Sequence, residues 1–173
     1  DNRGERTIKQ ISLNGDLNEI ASNVGGITIG RPYISGGFHI ANETAAYTYG
    51  KPDRPADVGV AIEGKTKVLT QLNEDILGYR KLGKVNEIIY NSSFDTEEIH
   101  GWYITPPNFD PAKKYPLILE IHGGPHLAYG PHFSAELQIM AASGYIVFYD
   151  NYRGSSSYGE DFALLLQYKY SSP

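Results

Sequence analysis

The stretch Tyr115-Pro-Leu-Ile-Leu-Glu-Ile-His-Gly-Gly-Pro-His126 is an apolar run that stops in a pair of glycines, and its chemistry belongs to its backbone. Gly123 and Gly124 carry no Cβ, so the chain turns sharply there and brings bare N–H groups up to a ligand. Pro125 fixes φ and ends the strand. A loop of this kind suits one task well, which is to aim peptide N–H groups at an oxygen that becomes negative during acyl transfer. The same residues also read as a tight turn between strand and helix, and spacing alone does not separate the two readings.

N–H donors of this kind need a nucleophile facing them. No Gly-x-Ser-x-Gly elbow occurs in the chain, and Gly154-Ser-Ser-Ser-Tyr-Gly159 has the wrong spacing and reads as a loop. His122, His126 and His132 match no metal-ligand spacing across a glycine-proline loop, so no metal is expected. His39 and His100 read as strand-end residues rather than bases. Gly25-Gly26-x-x-x-Gly30 resembles a phosphate loop in glycine count only, because no helix follows to supply a dipole. No cofactor is expected.

A net charge of −5, with 40% hydrophobic and 20% charged residues, describes a soluble globular protein without the clustered basic face that nucleic acid demands. No run approaches the ~18 apolar residues of a membrane span, and no basic-then-apolar leader opens the chain. The chain begins at Asp1 rather than Met. A removed leader or a longer parent therefore stays open, and so does the choice between cytoplasm and periplasm or secretion. The absence of cysteine excludes disulfides, a thiol nucleophile and thiolate zinc sites. Fourteen tyrosines against six phenylalanines favour strands with one wet face.

The elements that position the glycine loop follow from periodicity. Residues 1–72 read as strands separated by turns. Thr7–Leu13 alternates, Asn14-Gly15 is a hairpin signal, and Leu17–Ala21 returns. Val58–Ile62, the turn Glu63-Gly64 and Thr66–Leu72 form a second hairpin. Laying Gly15 on Gly64, an offset of 49 residues, aligns Ile11 with Val60, Leu13 with Ile62 and Ile20 with Leu69. Tyr33–Ser35 and Thr44–Tyr49 are the strands expected between the hairpins, joined by a turn over Gly36–Glu43. Four short strands per repeat at this period suggest a β-propeller blade preceded by half of another, with a plain antiparallel sheet as the alternative.

After Leu72-Asn73-Glu74-Asp75 the pattern changes. Val85–Tyr90 and Ile99–Thr105 are expected strands, Trp102 is expected to pack where the two regions meet, and Pro106–Pro111 reads as a stiff extended connector. Leu117–Ile121 reads as a strand buried on both faces. Phe133, Leu137, Met140 and Ala141 share one helix face, with Gly144 at the C′ position, and Tyr145–Tyr149 is the next buried strand. The order is a βαβ unit. Asp150–Gly154 leaves the carboxyl end of its second strand, where open α/β sheets bind ligands, and Phe162–Lys169 begins another helix.

His122-Gly123-Gly124-Pro125-His126, Asn151-Tyr152-Arg153-Gly154-Ser155 with Tyr158-Gly159, Gly101-Trp102 ahead of Pro106-Pro107, and Leu69-Thr-Gln-Leu-Asn73 together resemble the prolyl oligopeptidase family of serine peptidases. The likeness is closest to its acylaminoacyl-peptidase and dipeptidyl-peptidase-like branch. It implies a mixed fold, with residues 1–72 as the end of a β-propeller and residues 73–173 as the start of an α/β-hydrolase domain, both incomplete. It implies hydrolysis of short peptides near their N-terminus, with Gly124, beside Gly123, as an oxyanion donor. His122, His126, Arg153 and Tyr158 are implied as residues lining the site, Arg153 also reading as a structural clamp. Some relatives carry a tyrosine where His122 stands, which leaves the backbone of Gly124 as the donor here. The family's serine, aspartate and histidine fall beyond Pro173, so the chain by itself is expected to be inactive. Expected partners are a peptide substrate, a second copy, or the remainder of the same chain. A carboxylesterase or lipase shares the glycine loop but has no propeller blades, and a non-enzymatic peptide-binding module is the third alternative.

Overall fold

The structure, a computed structural model, describes residues 1–169; residues 170–173, the end of the second expected region, lie outside it. It is mostly β-sheet. Strands β1 (Ile8–Ile11) and β2 (Leu17–Ala21) form a hairpin with Ile8 opposite Ala21 and Ile11 opposite Leu17. Strands β3 (Phe38–Ala41), β4 (Thr44–Lys51), β5 (Arg54–Ile62) and β6 (Lys65–Val68) follow as a four-stranded antiparallel meander. Asn42-Glu43 and Glu63-Gly64 make two of its two-residue turns, and all four residues have positive φ, the geometry whose twist matches that of the flanking strands. Ile8, Ala21, Val24, Ala45, Tyr47 and Ala61 form one core between hairpin and meander. Tyr47 lies opposite Gly59, and a Cβ at Gly59 would stand 2.6 Å from the phenol ring.

One expected strand is displaced. Phe38–Ala41, assigned to the turn from sequence, is the strand that pairs with Thr44–Tyr47, because a two-residue turn at Asn42-Glu43 forces the residues just before it into register. Tyr33 instead makes an isolated bridge to Tyr129.

A short helix, α1 (Glu74–Leu77), leads to a second four-stranded sheet built from β7 (Lys84–Asn91), β8 (Glu98–Thr105), β9 (Leu117–Glu120) and β10 (Ile146–Asn151), in the order β7-β8-β10-β9. β9 and β10 run parallel, and β8 lies antiparallel to β10. Helix α2 (Ala135–Ala142) connects the parallel pair. Its N-cap Ser134 accepts from the N–H of Leu137, and Gly144 follows its C-cap at φ +96°, as the C′ position requires. Trp102, Ile104, Tyr129, Leu137, Ala141, Val147 and Tyr149 make the second core. Trp102 stacks on Tyr149 with centroids 5.6 Å apart and lies against Gly4, where a Cβ would meet the indole at 2.6 Å.

Three further expectations are corrected. β9 is not buried on both faces: Leu117, Leu119 and Ile121 are 63%, 53% and 59% exposed. Among the described residues β9 pairs only with β10, and of its apolar side chains Ile118 packs against the core that holds Leu137 and Ala141 of α2. The connector after Pro106 is not extended. Asn108 at φ +63° and the Asp110 carboxylate, accepting from the N–H of Ala112 at 3.0 Å, fold it into two successive turns. The last helix, α3 (Glu160–Leu164), is shorter than the apolar pattern to Lys169 suggests.

Ser134 caps α2 and also donates to the carbonyl of Gly30 at 2.6 Å. Ser134→Ala is expected to cost about 1–2 kcal/mol, read as a lower urea midpoint, with Ser134→Thr recovering most of it.

Candidate functional site

The carboxyl ends of β9 and β10 each run into a loop, and the two loops dock on each other. The N–H of Ser156 donates to the carbonyl of Leu127 at 3.0 Å, and a Cβ at Gly154 would stand 3.1 Å from that of Pro125. Asn151, fully buried, exchanges two 2.8 Å hydrogen bonds with the backbone of Tyr129. It thereby does for the loop what a ladder partner does for a strand.

Within this frame Gly123 and Gly124 stay exposed. Among the described residues no acceptor takes either N–H. Gly124 has φ +135°, a conformation that disfavours any side chain. The loop therefore presents bare N–H groups at the carboxyl end of a parallel strand.

His122 supports the loop from beneath. It is 2% exposed; its Nδ1–H donates to the carbonyl of Gly123 at 2.8 Å, and its Nε2 lies 3.0 Å from Ser155 Oγ. Tyr152 stacks on the imidazole with centroids 4.6 Å apart and donates its hydroxyl to the carbonyl of His122 at 2.7 Å. Buried and bonded in this way, His122 acts under the glycines and does not line an open surface. Tyr158 is also interior: its hydroxyl meets His100 Nδ1 and Asn151 Nδ2, each at 2.9 Å, and burial pushes its pKa up to about 12. Arg153 is a clamp. Its guanidinium pairs with Asp95, donates to Ser92 Oγ at 2.5 Å and lies over Phe94. The pairing holds the Asp95 carboxyl at about 2. Of the four residues expected to line the site, His126 alone is exposed. It borders a cleft of about 360 Å³ shared with Arg6, Tyr33, Ile34 and Leu127, between the amino-terminal strands and the loop after β9.

The residues that sequence reasoning passed over are buried and polar. Glu120 accepts from Tyr129 Oη at 3.0 Å and pairs with Arg31. Asp150 accepts from Tyr90 Oη at 2.5 Å, and burial raises its carboxyl pKa. A glutamate inside Leu-Ile-Leu-Glu-Ile was the available signal, since a carboxylate in an apolar run must find a partner. His132 stands apart. Its ring is buried against Gly25, neither nitrogen has a partner among the described residues, and burial, reinforced by the charge of Arg6, pushes its pKa down to about 4.

Residues 131–172 match the sequence profile of the prolyl oligopeptidase family. The chain is 39% identical over 113 residues to an uncharacterized peptidase, YuxL, of Bacillus subtilis, an overlap of 65% of this chain and 17% of that protein. It is 38% identical over 102 residues to dipeptidyl-peptidase 4 of Giardia intestinalis, covering 57% of this chain and 13% of the relative. The structure is similar to acylaminoacyl peptidase of Pyrococcus horikoshii, with a TM-score of 0.71 and 34% identity over 89% of this chain and 23% of that one. The chain thus spans less than a quarter of the length of each.

His132 gives a pH dependence of known sign. Unfolded, it takes up a proton near pH 6.5; folded, only near 4. The unfolded state binds more protons between these values, so this contribution to stability is complete above pH 6.5 and is lost as pH falls toward 4. Urea midpoints from pH 7.5 to 4 should fall less steeply in His132→Phe than in the unsubstituted protein. Equal slopes would show that the imidazole titrates normally.

Proposed function

We propose that the chain belongs to the prolyl oligopeptidase family of serine peptidases, whose profile residues 131–172 match, and that its intact protein cleaves short peptides near their N-terminus, releasing a dipeptide or an acylated residue. The observation that carries this reading is the pair of exposed glycines, Gly123 and Gly124, at the carboxyl end of β9, whose N–H groups have no acceptor among the described residues. In acyl transfer a serine oxygen adds to the scissile carbonyl, whose oxygen becomes an anion. A donor already aimed at that oxygen is worth about 10²–10³ in rate, because it binds the charge more strongly than the neutral carbonyl and needs no rearrangement. In this reading Gly124 supplies one donor with Gly123 beside it, and the nucleophile comes from chain outside these 173 residues.

The regions take corresponding roles. Residues 1–72 are the end of a β-propeller, in which the β3–β6 meander is one blade and the β1–β2 hairpin half of the blade before it. Residues 73–173 open an α/β-hydrolase domain, with β9, α2 and β10 as its βαβ unit. The meander favours a peptidase over a carboxylesterase, which has no use for such a sheet. The cleft bordered by His126, Tyr33 and Arg6 then lies between the two domains, where a propeller admits short, extended substrates and turns folded ones away. His122 and Tyr152 take up the carbonyls of Gly123 and His122, and Ser155 Oγ meets His122 Nε2, which leaves the N–H groups of the two glycines for a substrate.

In the full-length parent, aminoacyl or acylaminoacyl p-nitroanilides should be hydrolysed. Gly124→Ala should lower kcat by about 10²-fold with KM little changed, because the methyl forces the backbone out of φ +135° and swings the amide away. A parent that turns over both substrates yet keeps its kcat in Gly124→Ala would remove Gly124 from the oxyanion site.

A further inference from the structure

We propose that residues 29–35, ahead of the meander, are a strap that sets the direction of the Gly123 and Gly124 N–H groups, with Arg31 as its positioning residue; this rests on the reading of those groups as oxyanion donors. Among the described residues nothing accepts from the amides of the two glycines, so their orientation is inherited from the chain on either side. The same short segment grips both sides.

Upstream, Glu120 ends β9 with its side chain turned into the core. A buried carboxylate is tolerated only when its charge is paired and its lone pairs are used. The Arg31 guanidinium supplies the charge and Tyr129 Oη a hydrogen bond at 3.0 Å. Arg31 reaches Glu136 of α2 as well, at 3.5 Å, and so ties strand to helix. Downstream, the N–H of Ile34 donates to Ala128 O and that of Gly130 to Pro32 O, both at 2.9 Å, and the N–H of Ala135 donates to Ile29 O at 2.8 Å. The Tyr33 ring lies 4.8 Å from that of Tyr129 and meets the edge of His122 at 6.4 Å. If Arg31 lets go, the buried Glu120 loses its counter-charge, the end of β9 shifts, and the amides three and four residues on shift with it. Arg31 is engaged by two carboxylates and acts through them, which makes it a positioning residue rather than a catalytic one.

The test uses the full-length parent. Arg31→Met keeps the methylenes and removes the charge; kcat should fall about tenfold with KM within about twofold, since small misplacements of catalytic groups act on the transition state. Affinity for a peptide boronic acid, which mimics the tetrahedral state, should fall by the same factor. Arg31→Lys should recover most of both. Glu120→Gln should reproduce the loss, and the double substitution should be no worse than either single one. Arg31→Lys and Glu120→Gln carry the comparison if Arg31→Met does not fold. Unchanged kcat with a lower melting temperature would make the strap a structural staple and overturn the proposal. A raised KM with kcat intact would put Arg31 on the substrate and overturn it equally. Labelling of the unsubstituted parent by a serine-directed fluorophosphonate separates the two levels: no labelling sinks the peptidase reading and this proposal with it, whereas a labelled parent with unaffected variants sinks the strap alone.

Discussion

Two loops leave the same end of a parallel strand pair, and neither can satisfy its own backbone. A buried N–H or carbonyl without a partner costs as much as a lost hydrogen bond, so the segments after β9 and β10 must complete each other. Asn151 bonds both polar groups of Tyr129, Tyr152 takes the carbonyl of His122, and His122 takes that of Gly123. Each of these bonds consumes a group that faces inward. What the network leaves over, among the described residues, is the pair of N–H groups on the exposed glycines of the turn. The candidate site is the remainder of an otherwise closed hydrogen-bond account.

The same economy joins the amino-terminal strands to the second sheet. Gly4, at φ +83°, lets the backbone lie flat against Trp102, and Arg3 pairs with Glu98. That pair is exposed and worth little by itself. The stronger tie is geometric: a Cβ at Gly4 would overlap the indole, so a larger residue would have to push the two parts apart. Trp102 in turn stacks on Tyr149 of the central strand. A disturbance of the amino-terminal chain therefore reaches β10 through packed rings.

The second sheet is unevenly dressed. Its inner face holds Ile104, Val147 and Tyr149 against α2, while Leu117, Leu119 and Ile121 on the other face of β9 meet solvent among the described residues. Periodicity suggests a strand buried twice over, because a continuous apolar run reports what a strand is able to bury. Whether both faces are covered depends on which helices lie above and below them.

Local chemistry determined much of this protein. Gly15 and the pair Glu63-Gly64 fix their hairpins because they take positive φ, Gly144 ends its helix for the same reason, and the run Leu117–Ile121 stopping at Gly123-Gly124 marks both a strand and the turn after it. These signals are legible because each rests on the conformational range of one or two residues. Tertiary structure alone decided the rest. Phe38–Ala41 became a strand only because Thr44–Tyr47 needed a partner in that register, and Tyr33 was drawn off to bridge Tyr129. Glu120, Tyr129, Asn151 and Arg31 came together from three separate stretches, and no spacing in the chain records that meeting. A buried charge or amide announces in the sequence that a partner must exist, but which partner it finds is settled by packing, where the cost of leaving it unpaired is met by whatever donor the fold brings within reach.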